Sequence, residues 1–206
     1  MSDTLERYYR IHSKIYDLTR WSFLFGRAPM INRIARLTPA PAHILEVGCG
    51  TGRNTHELCS RLPETRVTGL DLSADMLTVA QKKLSRFSDR VTLINQAYGN
   101  DFQPPKPVDL ILFSYTLTMI NPGWKEAIEC AARDLTENGI IAVVDFHNTR
   151  FQLFRKWMRT NHVEMNGHLL PKLQDTFTTV EYSEPSAYIG IWRYLIYLGQ
   201  KSSTPV

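Results

Sequence analysis

The sequence predicts an α/β fold built on a mostly parallel sheet with a C-terminal antiparallel edge hairpin. Three observations carry this. From residue 43, short β-type runs alternate with helical patterns, the order of a parallel sheet covered on both faces. Two runs, at 108–113 and 140–144, are apolar without alternation, as central strands are. The last two strand-like segments, 176–184 and 192–200, have no helix between them.

In order, HILEVGCG (43–50) reads as a strand running into a glycine turn, and RNTHELCSRL (53–62) as a helix. RVTGLDL (66–72) is the second strand. SADMLTVAQKKLSRF (73–87) is a helix with Ser73 as its N-cap. VTLINQAY (91–98) is a third strand, PPKP (104–107) a loop and VDLILFSYT (108–116) a fourth strand. NPGWKEAIECAARDL (121–135) opens on turn residues and continues with helical spacing. GIIAVVDFH (139–147) is the fifth strand, with Gly139 just past the helix end, and FQLFRKWMR (151–159) is an amphipathic helix. Residues 1–40 are set apart as an N-terminal helical segment, and 41–206 as the domain.

With 206 residues, 43% hydrophobic and 21% charged, the composition is that of a globular chain able to bury a sizeable core. Three scattered cysteines make no disulfide framework and suit a reducing, cytoplasmic setting. The start has no signal-peptide pattern, and no apolar run is long enough to span a bilayer. Residues 1–43 hold seven basic and three acidic side chains, a difference of +4 that equals the excess of the whole chain. That localisation suits either a face that meets something anionic or an ordinary solvated helix face.

The chemistry concentrates where the first strand ends. Glu46-Val47-Gly48-Cys49-Gly50-Thr51-Gly52 lets the backbone turn sharply and approach a ligand, with a helix N-terminus behind it. The dinucleotide pattern G-x-G-x-x-G is broken, because Arg53 stands at its last position. What is present is E-x-G-x-G-x-G, with a carboxylate suited to a ligand ammonium group. Asp71, at the end of the second strand, can accept hydrogen bonds from both hydroxyls of a ribose. Met76, one turn into the next helix, can cover a base.

These residues, with GLDLSADML, VDLILFSYT and LTENGIIAVVDF, resemble the class I S-adenosylmethionine-dependent methyltransferases over roughly residues 40–200. The resemblance implies a Rossmann-like sandwich, S-adenosyl-L-methionine as cofactor and S-adenosyl-L-homocysteine as product. It implies that Glu46, Gly48, Cys49, Gly50 and Gly52 surround the methionine part of the cofactor. Asp71 would hold the ribose, Leu72 and Met76 would lie beside the adenine, and Ser114 and Tyr115 would line the methyl-donor site. The family's Asp-Ala pair near the adenine amino group is Gln96-Ala97 here, and a glutamine carbonyl can still accept that bond.

His147, in DFHN after the fifth strand, is a candidate proton acceptor or substrate-orienting group, or simply a histidine satisfied at a strand end. Read as metal ligands, Asp145, His147, His162 and His168 match no recognised spacing, so no metal is expected.

YDLTRWSFLFGR, VVDFHN, NHVEMNGHLLPKL and IWRYLIYLGQ are similar to the N-methyltransferases that make betaine lipids from diacylglyceryl-homoserine. The resemblance implies an acceptor amine on a lipid headgroup, methylated to a quaternary ammonium. Phosphatidylethanolamine, a quinone precursor or a soluble small molecule are the alternatives. The aromatic, basic stretch 8–27 suits core packing, a lid or a membrane face. As a lid it would place Tyr16 and Arg20 at the cofactor, Tyr16 with Tyr115 and His147 at the chemistry, and Tyr8, Tyr9 and His12 at the acceptor. The expected setting is the cytoplasm, with peripheral contact at the inner membrane face and no nucleic-acid partner.

Overall fold

The computed structural model describes residues 24–160 and 163–202. Their centre is an eight-stranded sheet comprising β1 (His43–Val47), β2 (Arg66–Asp71), β3 (Val91–Asn95), β4 (Val108–Ser114), β5 (Leu135–Asn148), β6 (Thr178–Ser183), β7 (Ser186–Ala187) and β8 (Trp192–Gln200). The order along the sheet is β3-β2-β1-β4-β5-β8-β6, with β7 paired to β8. The first five strands are parallel, and β8 runs antiparallel between β5 and β6. The expected edge hairpin is therefore present. The helices are α1 (Arg27–Ile34), α2 (Arg53–Arg61), α3 (Ala74–Lys83), α4 (Trp124–Asp134), α5 (Gln152–Thr160) and α6 (Leu169–Thr176).

The alternation of side chains along each strand builds two apolar layers. Ile44, Leu110, Leu112 and Val144 face one layer with Met30 and Ile34 of α1 and Leu58 of α2. Leu45, Ile111, Phe113 and Val143 face the other with Ile128 of α4 and Leu173 of α6. Because Met30 and Ile34 are fully buried in the shared core, α1 is continuous with the domain despite lying before residue 40.

Several boundaries differ from the sequence reading. The third strand stops at Asn95 rather than 98, leaving Gln96 and Ala97 in an exposed loop. The helix after β2 ends at Lys83, and Ser85–Phe87 forms a separate single turn. β5 begins at Leu135, four residues before Gly139, and passes through Asn138 in the left-handed region (φ 62°). α6 carried no expectation, because Pro171 interrupts its apolar spacing. In the structure Pro171 falls in the first turn, where no helical N–H is lost.

Chain reversal between β2–β1 and β4 makes β1 and β4 the topological switch point. In such sheets ligands bind beyond the carboxyl ends of these strands.

Candidate active site

The glycine turn joins β1 to α2 at this switch point. Gly48, Gly50 and Gly52 all have positive φ, of 71°, 54° and 72°. They do so for different reasons. A Cβ on Gly48 would lie 2.6 Å from Thr116 Oγ1, and one on Gly52 would lie 2.8 Å from Leu84 Cδ1. Both are close-packing glycines. A Cβ on Gly50 would meet no atom of the described residues within 4 Å. Gly50 thus presents bare backbone to open space beside the two carboxyl strand ends.

Asp71 locks this turn. Its Oδ2 accepts from the Gly50 N–H at 2.7 Å and its Oδ1 from the Ser73 N–H at 2.9 Å. A carboxylate has roughly four lone-pair sites, so each oxygen keeps acceptor capacity for a ligand. Ser73 caps α3 as expected, its hydroxyl accepting from the Met76 N–H at 3.3 Å. Leu72 is 74% exposed at the rim, and Met76 is half-buried beside it. Gln96 donates from Nε2 to the Asp101 carbonyl at 3.3 Å, which directs its amide along its own loop and leaves its carbonyl oxygen as acceptor.

Glu46 is fully buried and turned into the start of α2. Its oxygens accept from Asn54 Nδ2 at 2.9 Å and from Thr55 Oγ1 at 2.5 Å. Burial pushes its carboxyl up, opposed by the Thr55 and Asn54 hydrogen bonds and by the Arg27 charge. The expectation of a direct ligand contact missed these two partners. Asn54 and Thr55 are polar residues in the first helical turn, a signal visible in the sequence. Cys49 is also buried. Burial first, then the Glu46 and Asp71 carboxylates, push its thiol upward, so it stays a neutral packing group.

At the end of β4, Ser114 accepts a hydrogen bond from Arg27 Nε at 3.2 Å. Arg27 opens α1 and lies 6.0 Å from the Tyr115 ring centroid. Sequence reasoning did not single it out, since nothing local marks one of the seven basic residues between 1 and 43. Tyr115 itself has φ 58° and is almost completely buried. Its hydroxyl donates to the Phe25 carbonyl at 2.6 Å, and its ring meets Phe146 edge-on at 4.7 Å. Burial pushes its phenol well up. Its hydroxyl thus anchors the chain entering α1.

Asp145 is fully buried in β5. It accepts from Thr118 Oγ1 at 2.5 Å, the Thr118 N–H at 3.2 Å and the Phe146 N–H at 2.8 Å, tying the loop after β4 to β5. Burial pushes its carboxyl up to about 6, against those hydrogen bonds. A raised carboxyl favours the native state when protonated, so its stabilisation is full below about pH 4 and is lost as pH rises through 6. The shift corresponds to roughly 3 kcal/mol over that window, at 1.36 kcal/mol for each pH step. Denaturant titrations of Asp145→Asn between pH 4 and 7 should show this slope flattened. A slope identical to that of the parent chain would remove Asp145 as its source.

His147 lies two residues on, also buried. Its Nε2 faces Glu184 Oε1 at 3.4 Å, while its Nδ1 has no hydrogen-bond partner among the described residues. Burial lowers its basicity, with the Glu184 charge opposing. The ring is thus neutral near pH 7, and Glu184 favours the tautomer that leaves Nδ1 bare. His168 packs edge-on against Trp124, 4.6 Å between ring centroids, and burial lowers its basicity. Tyr8, Tyr9, His12, Tyr16, Arg20 and His162 lie outside the described residues.

Residues 44–139 match the family described as a methyltransferase domain. This part of the chain is similar to methyltransferase domains. The chain is 34% identical to trans-aconitate 2-methyltransferase of Acidovorax sp. (strain JS42), over 56% of this chain and 43% of that protein. It is 30% identical to malonyl-[acyl-carrier protein] O-methyltransferase of Priestia megaterium, over 72% of this chain and 53% of that one. The chain therefore spans about half the length of the curated relatives it matches. Its fold is similar to that of Burkholderia thailandensis 1,6-didemethyltoxoflavin-N1-methyltransferase, solved with its acceptor and S-adenosylhomocysteine bound. The TM-score is 0.75 at 17% identity, covering 97% of this chain and 88% of that one. The matched residues include the glycine turn, Asp71 and the ends of β1 and β4.

Proposed function

We propose that the chain is an S-adenosylmethionine-dependent N-methyltransferase whose acceptor is the amine of a lipid headgroup, of the diacylglyceryl-homoserine kind. The observation that carries the cofactor reading is Gly50. Its left-handed backbone faces open space beside a carboxylate that has acceptor capacity to spare. The bound cofactor supplies a sulfonium methyl that is displaced in line and leaves S-adenosylhomocysteine.

The chain's own residues bind, orient and accept a proton. Asp71 holds the ribose hydroxyls, and Gly48, Gly50 and Gly52 shape the turn around the methionine part, with Glu46 and Cys49 packed beneath it. Leu72 and Met76 flank the adenine, and Gln96-Ala97 meet its amino group. Arg27, fixed by Ser114, offers a guanidinium to the cofactor carboxylate. Neutral His147, whose enclosed Nδ1 lacks a hydrogen-bond partner among the described residues, takes through an intervening water the proton that an ammonium acceptor must lose before its lone pair can attack. Tyr16, Arg20, Tyr8, Tyr9 and His12 complete the lid over cofactor and acceptor in this reading.

His147→Asn should cut turnover by about 100-fold, the lower range for a positioned proton acceptor, while leaving S-adenosylhomocysteine affinity within about twofold. Unchanged turnover would remove His147 from the chemistry. The acceptor reading is tested by product mass after incubation with diacylglyceryl-homoserine. Successive additions of methyl support it, and methylation of another acceptor alone rejects it.

A carboxylate acceptor is the second reading. The named relatives include two carboxylate-type substrates, and Arg27 supplies a cation beside Ser114. Mild alkali separates the two, because it hydrolyses a methyl ester and leaves an N-methyl group intact. Among the described residues no helix is long and apolar enough to cross a membrane, so a lipid acceptor would be met at a surface.

A further inference from the structure

We propose that the turn Tyr188–Ile191 and the adjoining shoulder of α5 form an insertion face for an anionic lipid surface, with Ile189 and Leu153 as its tips. Ile189 is 105% exposed and Leu153 86% exposed, so almost nothing of the protein packs on either. Phe151, Trp157 and Ile191 are exposed around them. The turn and the helix are joined. Thr149 Oγ1 donates to the Ile191 carbonyl at 2.6 Å, and Arg150 Nη2 lies 3.6 Å from where a Gly190 Cβ would stand.

The backbone supports the same conclusion. Tyr188 and Ile189 are consecutive non-glycine residues in the left-handed region, at φ 47° and 56°. For a β-branched residue this conformation is an outlier. Its effect is to present Ile189 fully to the outside. On α5, Met158 is buried and Phe154 packs against the core, which already satisfies the helix. Leu153 lies off that buried face, 86% exposed.

Charge and shape choose the occupant. Between Thr149 and Thr160 stand four basic residues, Arg150, Arg155, Lys156 and Arg159, and no acid. Basic side chains around protruding apolar tips match anionic headgroups above an acyl boundary. Tips this exposed suit a fluid partner that deforms around them better than a preformed protein groove. This surface deepens the lipid-headgroup reading and rests on it only for what the surface would deliver.

The test is sedimentation of the full chain with vesicles of phosphatidylcholine alone or mixed equally with phosphatidylglycerol. Binding to the mixed vesicles, weakened by salt, is expected. Ile189→Ser with Leu153→Ser should lower that partitioning at least tenfold while leaving S-adenosylhomocysteine affinity unchanged. Lys156→Glu with Arg159→Glu should remove the preference for the anionic lipid. Absence of sedimentation at low salt, partitioning indifferent to the Ile189 and Leu153 changes, or capture of an acidic carrier protein in place of vesicles would overturn the proposal. Vesicle binding without headgroup methylation would reject the acceptor reading and leave this surface standing.

Discussion

Asp71→Ala should lower S-adenosylhomocysteine affinity by at least about 100-fold. The carboxylate has two duties. It accepts from the Gly50 and Ser73 N–H groups at 2.7 and 2.9 Å, which fixes the turn, and in the function proposed here it offers its remaining lone pairs to the ribose hydroxyls. Hydrogen bonds to a charged group contribute roughly 1.5–3 kcal/mol each, and two lost ribose contacts already reach the stated factor. Asp71→Asn keeps one acceptor oxygen, so a smaller loss of about tenfold is expected. Isothermal titration of both variants checks the order. An alanine variant that binds like the parent chain would place the ribose elsewhere.

The second large effect separates glycines only two residues apart. Gly52→Val should lower the melting temperature further than Gly50→Val does, because its Cβ would come within 2.8 Å of Leu84 and 3.1 Å of Ala80 at a positive φ. Overpacking of this kind costs about 1–3 kcal/mol, and the left-handed conformation of a β-branched residue adds a cost of similar order. Gly50→Val pays the conformational cost alone, since no atom of the described residues lies within 4 Å of its Cβ. It should remain folded, with a lowered melting temperature, and lose S-adenosylhomocysteine binding because its side chain fills the space the ligand needs. Circular dichroism melts and calorimetry on the two proteins distinguish these outcomes. Equal melting temperatures would show that the two glycines serve the same purpose.

Much of this arrangement was legible in the residues. The apolar runs of β4 and β5, the alternation from residue 43 and the helix-free C-terminal pair give the sheet and its edge. Glu46, the three glycines and Asp71 mark the turn between β1 and α2 and the end of β2. What was hidden depends on long-range contacts. Arg27 reaches Ser114 across 87 positions, and Tyr115 anchors Phe25 across 90. Neither pairing leaves a local pattern. Glu184, the partner of His147, comes from the β6–β7 turn and is likewise invisible until β8 folds between β5 and β6. α6 was obscured by Pro171, whose meaning changes with its place in the helix.

The identity of the acceptor depends on elements that surround the strand ends. In the proposed function Asp71 and the glycine turn serve the cofactor and carry no information about what receives the methyl group. His147 and the exposed side chains on α5 lie apart from those residues, and they are what the amine and lipid readings draw on. Their separate variants keep those readings independent of the cofactor site.

The central claim is that the bare backbone at Gly50, beside Asp71, receives S-adenosylmethionine. Isothermal titration with S-adenosylhomocysteine tests it most directly. Saturable one-to-one binding to the parent chain, abolished in folded Gly50→Val, is the expected result. Binding that survives in Gly50→Val, or no binding to the parent chain at millimolar ligand, would contradict it.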